Sequence, residues 1–284
     1  LFTPFPELPS LSDLQNLQGK RKTFYIKAGL QKKLDAYLDS RRLSYHTFFT
    51  CLYLLYEYKK FGREDVIIGI PLLGRSGSRE RQVVGTFTNT MPYRYGIDKY
   101  QTVYEMLAAV SSGLKQSFAN QKYPYNILYE ELAVRAKGAE RMYDTCINYY
   151  NTVLPKALDG CPIENTEFYN SEQEYALQLI IRHWQGRALQ LDFDYQISRY
   201  SDSQIKDLYR QMTVLLEQMV SSDFKKVREL VLLEEEEQKH VLYEYNSTQQ
   251  EYPRDKTWLA LFEENTKNYP RRPAVSKGSQ VLTY

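Results

Sequence analysis

In the first 60 positions of this chain, apolar and polar residues follow first the pattern of a strand and then the pattern of a helix. Residues 23–28 alternate with period two, which predicts a strand. Apolar residues then recur at helical spacing from Leu30, which predicts a helix that ends near Arg42. A second helix is predicted over residues 46–61, with Ser44 as its N-cap. Because this helix is apolar almost all round, we expect it to be buried.

The centre of the chain holds two further predicted strands. Residues 66–70 form a short apolar run, and residues 87–95 form a second run of residues that favour strands. A polar segment rich in Gly, Arg and Ser joins them, so we expect two buried strands and a connecting loop. A helix with one apolar face is predicted over residues 101–119. Pro124 marks the boundary between that helix and the next one.

The remaining pattern adds strands, one long helix and a change of character. The predicted elements are a strand over residues 143–151, a polar loop over 152–172, a hairpin of strands 175–184 and 187–197, and a helix that Ser201 caps and that runs to residue 220. Residues 227–253 contain an acidic run and polar positions, which indicates an interdomain linker that can hold a short helix over 234–245.

Composition narrows the classes of function. The 284 residues carry 37 Lys and Arg against 35 Asp and Glu, a net charge of +2, so no global field favours nucleic acid or a membrane surface as a partner. No apolar run reaches the roughly 20 residues that a membrane-spanning helix needs. We therefore expect a soluble, cytoplasmic protein. The three cysteines, Cys51, Cys146 and Cys161, have no C-x-x-C spacing, which favours buried thiols in a reducing compartment over a disulfide framework or a zinc site.

A family resemblance rests on the central strands and their neighbours. The sequence G-x-P-x-x-G-R, a loop and then V-G-T-F-T-N-T-M-P-Y-R resembles the second half of a condensation domain of non-ribosomal peptide synthetases. The family pattern G-x-F-x-N-T-x-x-x-R is complete in Gly85, Phe87, Asn89, Thr90 and Arg94.

Residues 120–128 are similar to a second family segment, H-Q-D-Y-P-F-E-x-L. Gln121, Tyr123, Pro124 and Leu128 agree with it, whereas other positions differ. In particular, Lys122 stands where the family has Asp.

The resemblance implies a fold and a domain order. The expected fold class is α/β, a chloramphenicol-acetyltransferase-like lobe with a mixed β-sheet packed with helices. Residues 1–226 would form the C-terminal lobe of a condensation domain, and residues 227–253 would be the linker. Residues 254–284 resemble the truncated N-terminal start of an adenylation domain and contain no phosphate-binding loop, so this part is not expected to bind ATP.

The chemistry that the resemblance implies needs residues that this sequence lacks. The family forms amides around H-H-x-x-x-D-G, whose second His positions or deprotonates the attacking amine. The chain's histidines are His46, His183 and His240, and none is followed by Asp-Gly. The motif belongs to a first lobe that would precede Leu1. We therefore expect no catalytic residue, directly bound cofactor or metal in this chain, and no activity from it alone.

The resemblance also implies where this lobe would act. In the family two lobes form a V, and the phosphopantetheine arms of partner carrier proteins reach the His motif from opposite faces. Gly85, Phe87, Asn89, Thr90 and Arg94 are the candidates for the wall of that substrate tunnel or for contacts between the lobes. An ion pair that ties the lobes is the favoured interpretation of Arg94. For Asn89, turn-stabilising hydrogen bonds and substrate contact are left equally open.

Several functions remain open at this point. The leading interpretation is part of an amide-forming, acyl or peptidyl transferase-type enzyme that joins two carrier-bound aminoacyl or peptidyl thioesters. Its expected partners are the missing N-terminal lobe, upstream and downstream peptidyl carrier proteins and the adjoining adenylation domain. The alternatives are an epimerisation domain of the same fold, a plain acetyltransferase, and a non-catalytic scaffold on which carrier or adenylation domains dock.

Overall fold

A computed structural model describes residues 17–134, 141–150, 157–163, 168–183 and 188–284. The backbone divides into two compact units, residues 1–234 and residues 235–284, and each is presented by itself. None of the helices in the described ranges combines the length and the hydropathy that a membrane crossing needs.

The first unit is an α/β structure. Its strands are β1 (Gly19–Tyr25), β2 (Asp65–Leu72), β3 (Asn89–Gly96), β4 (Thr145–Tyr150), β5 (Ala157–Leu158), β6 (Cys161–Pro162), β7 (Leu177–Arg182) and β8 (Gln190–Gln196). Its helices are α1 (Ala28–Arg41), α2 (Tyr45–Phe61), the short α3 (Ser78–Arg81), α4 (Val103–Ala119), α5 (Tyr125–Glu131) and α6 (Asp202–Ser221), followed by a 3₁₀ turn (Val227–Glu229).

Six of these strands form one mixed sheet in the order β1-β8-β7-β4-β2-β3. The pairs β2–β4 and β4–β7 are parallel, and the other pairs are antiparallel. The main core lies between this sheet and α1, α2, α4 and α6. The predicted α/β class with a mixed sheet and packed helices is confirmed.

Helix α2 is the central element of that core. Ser44 caps it by accepting a hydrogen bond from the backbone N–H of Thr47 at 3.0 Å, as the sequence predicts. Residues 46–57 are buried without interruption. The charge of the buried Glu57 is compensated, because its carboxylate accepts from the Tyr53 hydroxyl at 2.6 Å and pairs with Arg63 at 2.7 Å.

Charged residues pair on the face of β8 that points away from the main core. Asp192 pairs with Arg182 of β7 at 2.6 Å, and both side chains are almost fully buried. Asp194 accepts two hydrogen bonds from the guanidinium of Arg21 in β1, at 2.6 and 2.7 Å. Burial raises the pKa of Asp194, and the hydrogen bonds from Arg21 act in the opposite direction. The Arg21–Asp194 pair holds the edge strand β1 on the sheet, and the Arg182–Asp192 pair joins β7 to β8.

Several predicted boundaries are wrong. The first strand is residues 19–25 rather than 23–28, because its polar residues pair with polar residues of β8, and Ala28 already begins α1. The third strand begins at Asn89 rather than at residue 87, and α4 begins at Val103. Two of the three cysteines are buried as expected, but Cys161 is exposed in the short β5–β6 hairpin.

The hairpin of β7 and β8 is confirmed in its antiparallel register, with Leu179 opposite Phe193 and Ile181 opposite Leu191. Its predicted ends at residues 184 and 187 lie outside the described residues, as do residue 151 of the β4 prediction and residues 1–16. The capped helix α6 is confirmed, since the Ser201 side chain accepts from Gln204 N–H at 3.3 Å.

The second unit is small. It contains α7 (Glu235–Lys239), a π-helical turn (His240–Glu244), α8 (Trp258–Asn268) and the antiparallel hairpin of β9 (Pro273–Lys277) and β10 (Gln280–Thr283). The short helix predicted over residues 234–245 is present. None of the residues in these elements is buried, and large apolar side chains such as Trp258 and Leu282 are exposed.

Candidate functional site

The β2–β3 hairpin carries the motif that the sequence singles out. Its strands pair from Asp65 opposite Gly96 to Leu72 opposite Asn89. Residues 73–88 connect the two strands and contain α3. Side chains alternate along β3, so that Met91 and Tyr93 enter the main core whereas Thr90 lies on the other face of the sheet.

Arg75 organises this connection. Its guanidinium donates hydrogen bonds to the carbonyl oxygens of Glu80, of Val83 at 2.8 Å and of Gly85 at 2.6 Å. The same group lies 4.2 Å from the ring centroid of Phe87, a cation–π distance. One side chain therefore holds the second half of the connection through its backbone and through an aromatic ring.

Glu80 organises the first half. Its carboxylate accepts from the backbone N–H of Ser76 at 2.7 Å and of Gly77 at 3.2 Å, and it pairs with Lys122 at 2.6 Å. The hydrogen bond from Lys122 and then those from Ser76 and Gly77 lower the pKa of Glu80 to about 2. Glu80 is consequently an anion at neutral pH.

Two glycines allow the backbone of this connection to follow its path. Gly85 has φ of +151°, in a region that residues with a side chain rarely adopt. Gly74 has φ of +65°, and a Cβ atom there would lie 1.9 Å from the carbonyl oxygen of Phe87. Gly74 is therefore required both by conformation and by the close approach of the two ends of the connection.

Asn89 joins the hairpin to the segment between α4 and α5. Its amide nitrogen donates to the carbonyl oxygens of Tyr123 at 2.8 Å and of Gln121 at 3.3 Å. In return, the side-chain oxygen of Gln121 accepts from the backbone N–H of Gly74 at 3.1 Å. These hydrogen bonds stabilise the backbone, and the other interpretation of Asn89, substrate contact, stays a prediction.

A cleft of about 640 Å³ lies between the hairpin connection and the start of α5. Its lining consists of Gly74, Glu80, Phe87, Thr88, Asn89, Gln121, Lys122, Pro124, Tyr125 and Asn126. A smaller cavity of about 350 Å³ shares Asn89 and Tyr125 with it and is otherwise lined by Thr90, Arg141, Tyr143, Glu174 and Tyr175. Asn89 and Tyr125 thus stand where the two spaces meet.

The smaller cavity is lined by tyrosines with restrained hydroxyl groups. Tyr143 donates to the carbonyl oxygen of Thr90 at 3.2 Å, and its ring fills the space beside Gly69. Burial raises the pKa of Tyr175 to about 12 and the pKa of Tyr143 further. These phenols stay protonated at neutral pH and can act as hydrogen-bond donors.

The structure brings together only part of the predicted site. Phe87 and Asn89 line the larger cleft, and Asn89 and Thr90 line the smaller cavity. Gly85 contributes its carbonyl oxygen to Arg75. Arg94 lies at the far end of β3, where it pairs with Asp65 of the neighbouring strand at 2.9 Å. Arg94 therefore has a partner within this chain, and its proposed contact between lobes stays a prediction.

The histidines occupy separate environments. His46 is buried in α2, and burial lowers its pKa to about 4 against an opposing hydrogen bond to the backbone of Ile147. His183 is exposed beside Tyr45, with ring centroids 4.9 Å apart, and His240 pairs with Glu244 in the second unit. Among the described residues, no group of His, Cys, Asp or Glu is arranged to hold a metal ion.

Sequence reasoning missed three residues that build the cleft: Arg75, Glu80 and Lys122. Arg75 follows Gly74 in the quoted motif, so its position was visible but its role was not. Gln121, which also lines the cleft, agrees with the second family segment. This agreement is the signal that could have placed that segment at the cleft. The pairing of Glu80 with Lys122 has no such signal, because Lys122 departs from that segment.

Comparison with known proteins extends the resemblance over most of the chain. The family model described as the condensation domain matches residues 3–242. Surfactin synthase subunit 1 of Bacillus subtilis is 26% identical over 98% of this chain, and tyrocidine synthase 3 of Brevibacillus parabrevis is 30% identical over 95% of it. The chain spans 8% and 4% of the length of these two relatives.

Solved structures agree in fold. The first condensation domain of the calcium-dependent antibiotic synthetase superposes with a TM-score of 0.66 at 16% identity, over 76% of this chain and 47% of that chain. A four-domain nonribosomal peptide synthetase bound to AMP and glycine gives a TM-score of 0.72 at 16% identity, over 93% of this chain and 21% of that chain. These matches confirm the predicted chloramphenicol-acetyltransferase-like fold. The match of the family model over residues 3–242 shows that the chain belongs to the condensation domain family.

Proposed function

We propose that this chain supplies the second lobe of a condensation domain and one wall of the site where two carrier-bound thioesters are joined by an amide bond. The observation that carries the proposal is the coverage of a solved condensation domain. The match covers 76% of this chain, yet it spans only 47% of that chain. A chain that holds one of the two lobes of a condensation domain would cover about half of the solved domain in this way.

The absence of H-H-x-x-x-D-G from the sequence is consistent with this division of labour. In the proposed reaction the acceptor's amine nitrogen attacks the donor's thioester carbonyl carbon. A C–N bond forms, the C–S bond breaks, and the donor's phosphopantetheine leaves as a thiol after it gains the proton that the amine loses. A histidine of the first lobe would handle that proton, because a general base must lie within hydrogen-bond reach of it.

The residues of this chain would bind and orient the two arms. Phe87, Asn89 and Tyr125 line a cleft that is mostly uncharged, and the Glu80–Lys122 pair stands at its side. A phosphopantetheine arm is an extended chain with amide groups, which hydrogen-bonding side chains and backbone carbonyls can hold. Orientation of this kind can contribute much of a rate enhancement without a reacting side chain.

We assign residues 227–253 to a linker and residues 254–284 to the start of an adenylation domain, in line with the sequence. The exposed apolar side chains of α8 and β10 support this assignment, because Trp258, Leu259 and Leu282 have no core of their own. An adenylation domain that continues from this segment would cover them. Val227 and Leu230, at the start of the assigned linker, pack into the core of the first unit, so the part that can act as a flexible linker lies after them.

The proposal is tested with two carrier proteins, one loaded with a donor and one with an acceptor aminoacyl group. The chain alone should form no dipeptide, whereas the same chain fused behind a first lobe that contains H-H-x-x-x-D-G should form it. Dipeptide from the chain alone, or none from a folded fusion, would contradict the proposal. An epimerisation domain would instead invert the residue on a single loaded carrier, which chiral chromatography of the released amino acid detects.

A further inference from the structure

We propose that Gln121 is a positioning residue that locks residues 74–89 onto the α4–α5 connection, so that the cleft is formed before any ligand enters it. The role of the cleft in binding a carrier arm rests on the proposed function. The lock itself rests only on contacts within this chain.

We use the name lock for the hydrogen bonds that join Gly74 and Asn89 to Gln121 and Tyr123. These bonds run in both directions. The side-chain amide of Asn89 donates to the backbone carbonyls of Gln121 and Tyr123, and the side-chain amide of Gln121 accepts from the backbone N–H of Gly74. Each segment thus contributes one side chain to the backbone of the other. Gly74 and Asn89 stand at the two ends of the hairpin connection, so both ends are held by the same short segment.

Loss of the hydrogen bond from the Gly74 N–H to Gln121 should cost free energy that water does not fully restore. Gly74 is buried, and a buried backbone N–H without an acceptor costs free energy comparable to a lost hydrogen bond. Its backbone is also pressed against the carbonyl of Phe87. The segment therefore has little freedom to turn this N–H toward another acceptor.

The Glu80–Lys122 pair adds a third connection between the same two segments, next to Gln121 in sequence. Both of its side chains are accessible to solvent, so we expect a small contribution from it. Lys122 stands where the family segment has Asp. The pair provides a control, since its removal leaves the amide lock intact.

The location of the lock gives it a functional consequence. Gly74, Asn89 and Gln121 all line the larger cleft, so a change in their mutual arrangement changes the shape of the space itself. A preformed cleft spares a ligand the entropy of ordering the two segments. Loosening the lock should therefore weaken binding more than it slows the chemical step.

The first test is hydrogen–deuterium exchange on the full chain, followed by mass spectrometry of peptides that cover residues 73–77. Gln121→Leu removes the acceptor and should raise exchange at Gly74 by about tenfold or more. Gln121→Glu keeps an oxygen at the same position and should restore slow exchange. Lys122→Ala is the matched control and should change exchange there by less than about threefold.

Equal exchange in Gln121→Leu and Gln121→Glu would overturn the proposal. If Gln121→Leu does not fold, Asn89→Ala tests the other half of the lock, and unchanged exchange at Gly74 in that variant would equally overturn it. Thermal melts of each variant separate local opening from global destabilisation, because a local effect raises exchange at residues 73–77 with little change in Tm.

The second test uses the dipeptide assay of the fusion protein. Gln121→Leu should raise the KM for the loaded carrier about tenfold with a smaller change in kcat, and Gln121→Glu should restore KM. A loss in kcat alone would contradict a positioning role. If the fusion forms no dipeptide with any variant, the proposed function fails while the exchange result still decides whether the lock exists.

Discussion

Arg94 and Asp65 pair across the β2–β3 hairpin, at the end of the strands that is distant from the cleft. The Nε atom of Arg94 lies 2.9 Å from a carboxylate oxygen of Asp65, and a second nitrogen of the guanidinium also donates to that carboxylate. The two side chains are 38% and 37% exposed. The most specific motif of this sequence therefore ends in a solvent-accessible ion pair within one hairpin.

This geometry predicts a small effect of Arg94→Ala on the isolated chain. Solvent-exposed pairs contribute about 0.2–1 kcal/mol, so the free energy of unfolding should fall by no more than this. Urea unfolding of Arg94→Ala, Asp65→Ala and the double variant gives the coupling energy directly. If Arg94 also ties two lobes, the same variant should weaken a two-lobe protein by clearly more than it weakens the isolated chain.

The loop around Arg75 gives a second prediction. Arg75→Lys keeps the charge but cannot donate to three carbonyls while stacking on Phe87, so residues 76–88 should open more often. Trypsin cleavage after Arg79 and Arg81 should be about tenfold faster than in the parent chain, since charge-assisted hydrogen bonds contribute about 1.5–3 kcal/mol each. The readout is the rate at which the two fragments appear on a gel.

Arg81→Lys is the matched control for that experiment. It makes the same chemical change in the same loop, and the Arg81 guanidinium has no hydrogen bond or ion pair to the described residues. Because this substitution changes the residue at one of the two cleavage sites, cleavage after Arg79 is the rate that is compared between the variants. Equal rates in the two variants would show that Arg75 does not hold the loop.

The helices of the first unit could be predicted because their signals are local. Ser44 and Ser201 each stand directly before an apolar face with helical spacing, and both act as N-caps. The β7–β8 hairpin was predicted for the same reason, since its two alternating runs are close in sequence. The mixed sheet and the fold class required the family resemblance, because strands that pair in this sheet are far apart in the chain.

The cleft could not be predicted in the same way. Gly74 and Gln121 are 47 positions apart, and neither residue type indicates the other as its partner. The start of β1 at Gly19 was not predicted for a similar reason. Lys20 and Arg21 look like solvated charges until Asp202 and Asp194, which are distant in sequence, are placed beside them. The position of Phe87 outside β3 depends on Arg75, which draws the preceding backbone into a loop.

The buried pair of Arg182 and Asp192 predicts a large loss of stability. Asp192→Asn preserves shape but removes the charge that faces Arg182, whose side chain is 3% exposed. Breaking a buried ion pair from one side costs about 3–5 kcal/mol, and guanidinium unfolding should show this as a lower midpoint. Lys20→Ala, which breaks a pair with side chains 53% and 48% exposed, should cost less than about 1 kcal/mol. Similar losses in both variants would contradict the burial of the first pair.

His46 makes the stability of the first unit depend on pH. Burial lowers the pKa of His46 from 6.5 to about 4, so between these values the unfolded chain binds a proton that the folded chain does not. The contribution of His46 to stability is therefore full above pH 6.5 and is lost as the pH falls toward 4, with a slope of up to about 1.4 kcal/mol per pH unit. His46→Asn keeps a neutral donor near Ile147 and has no proton to gain in this range. Urea unfolding from pH 7.5 to 5 should give a slope for the parent chain that exceeds the slope for His46→Asn, and equal slopes would mean that His46 is accessible to protons in the folded state.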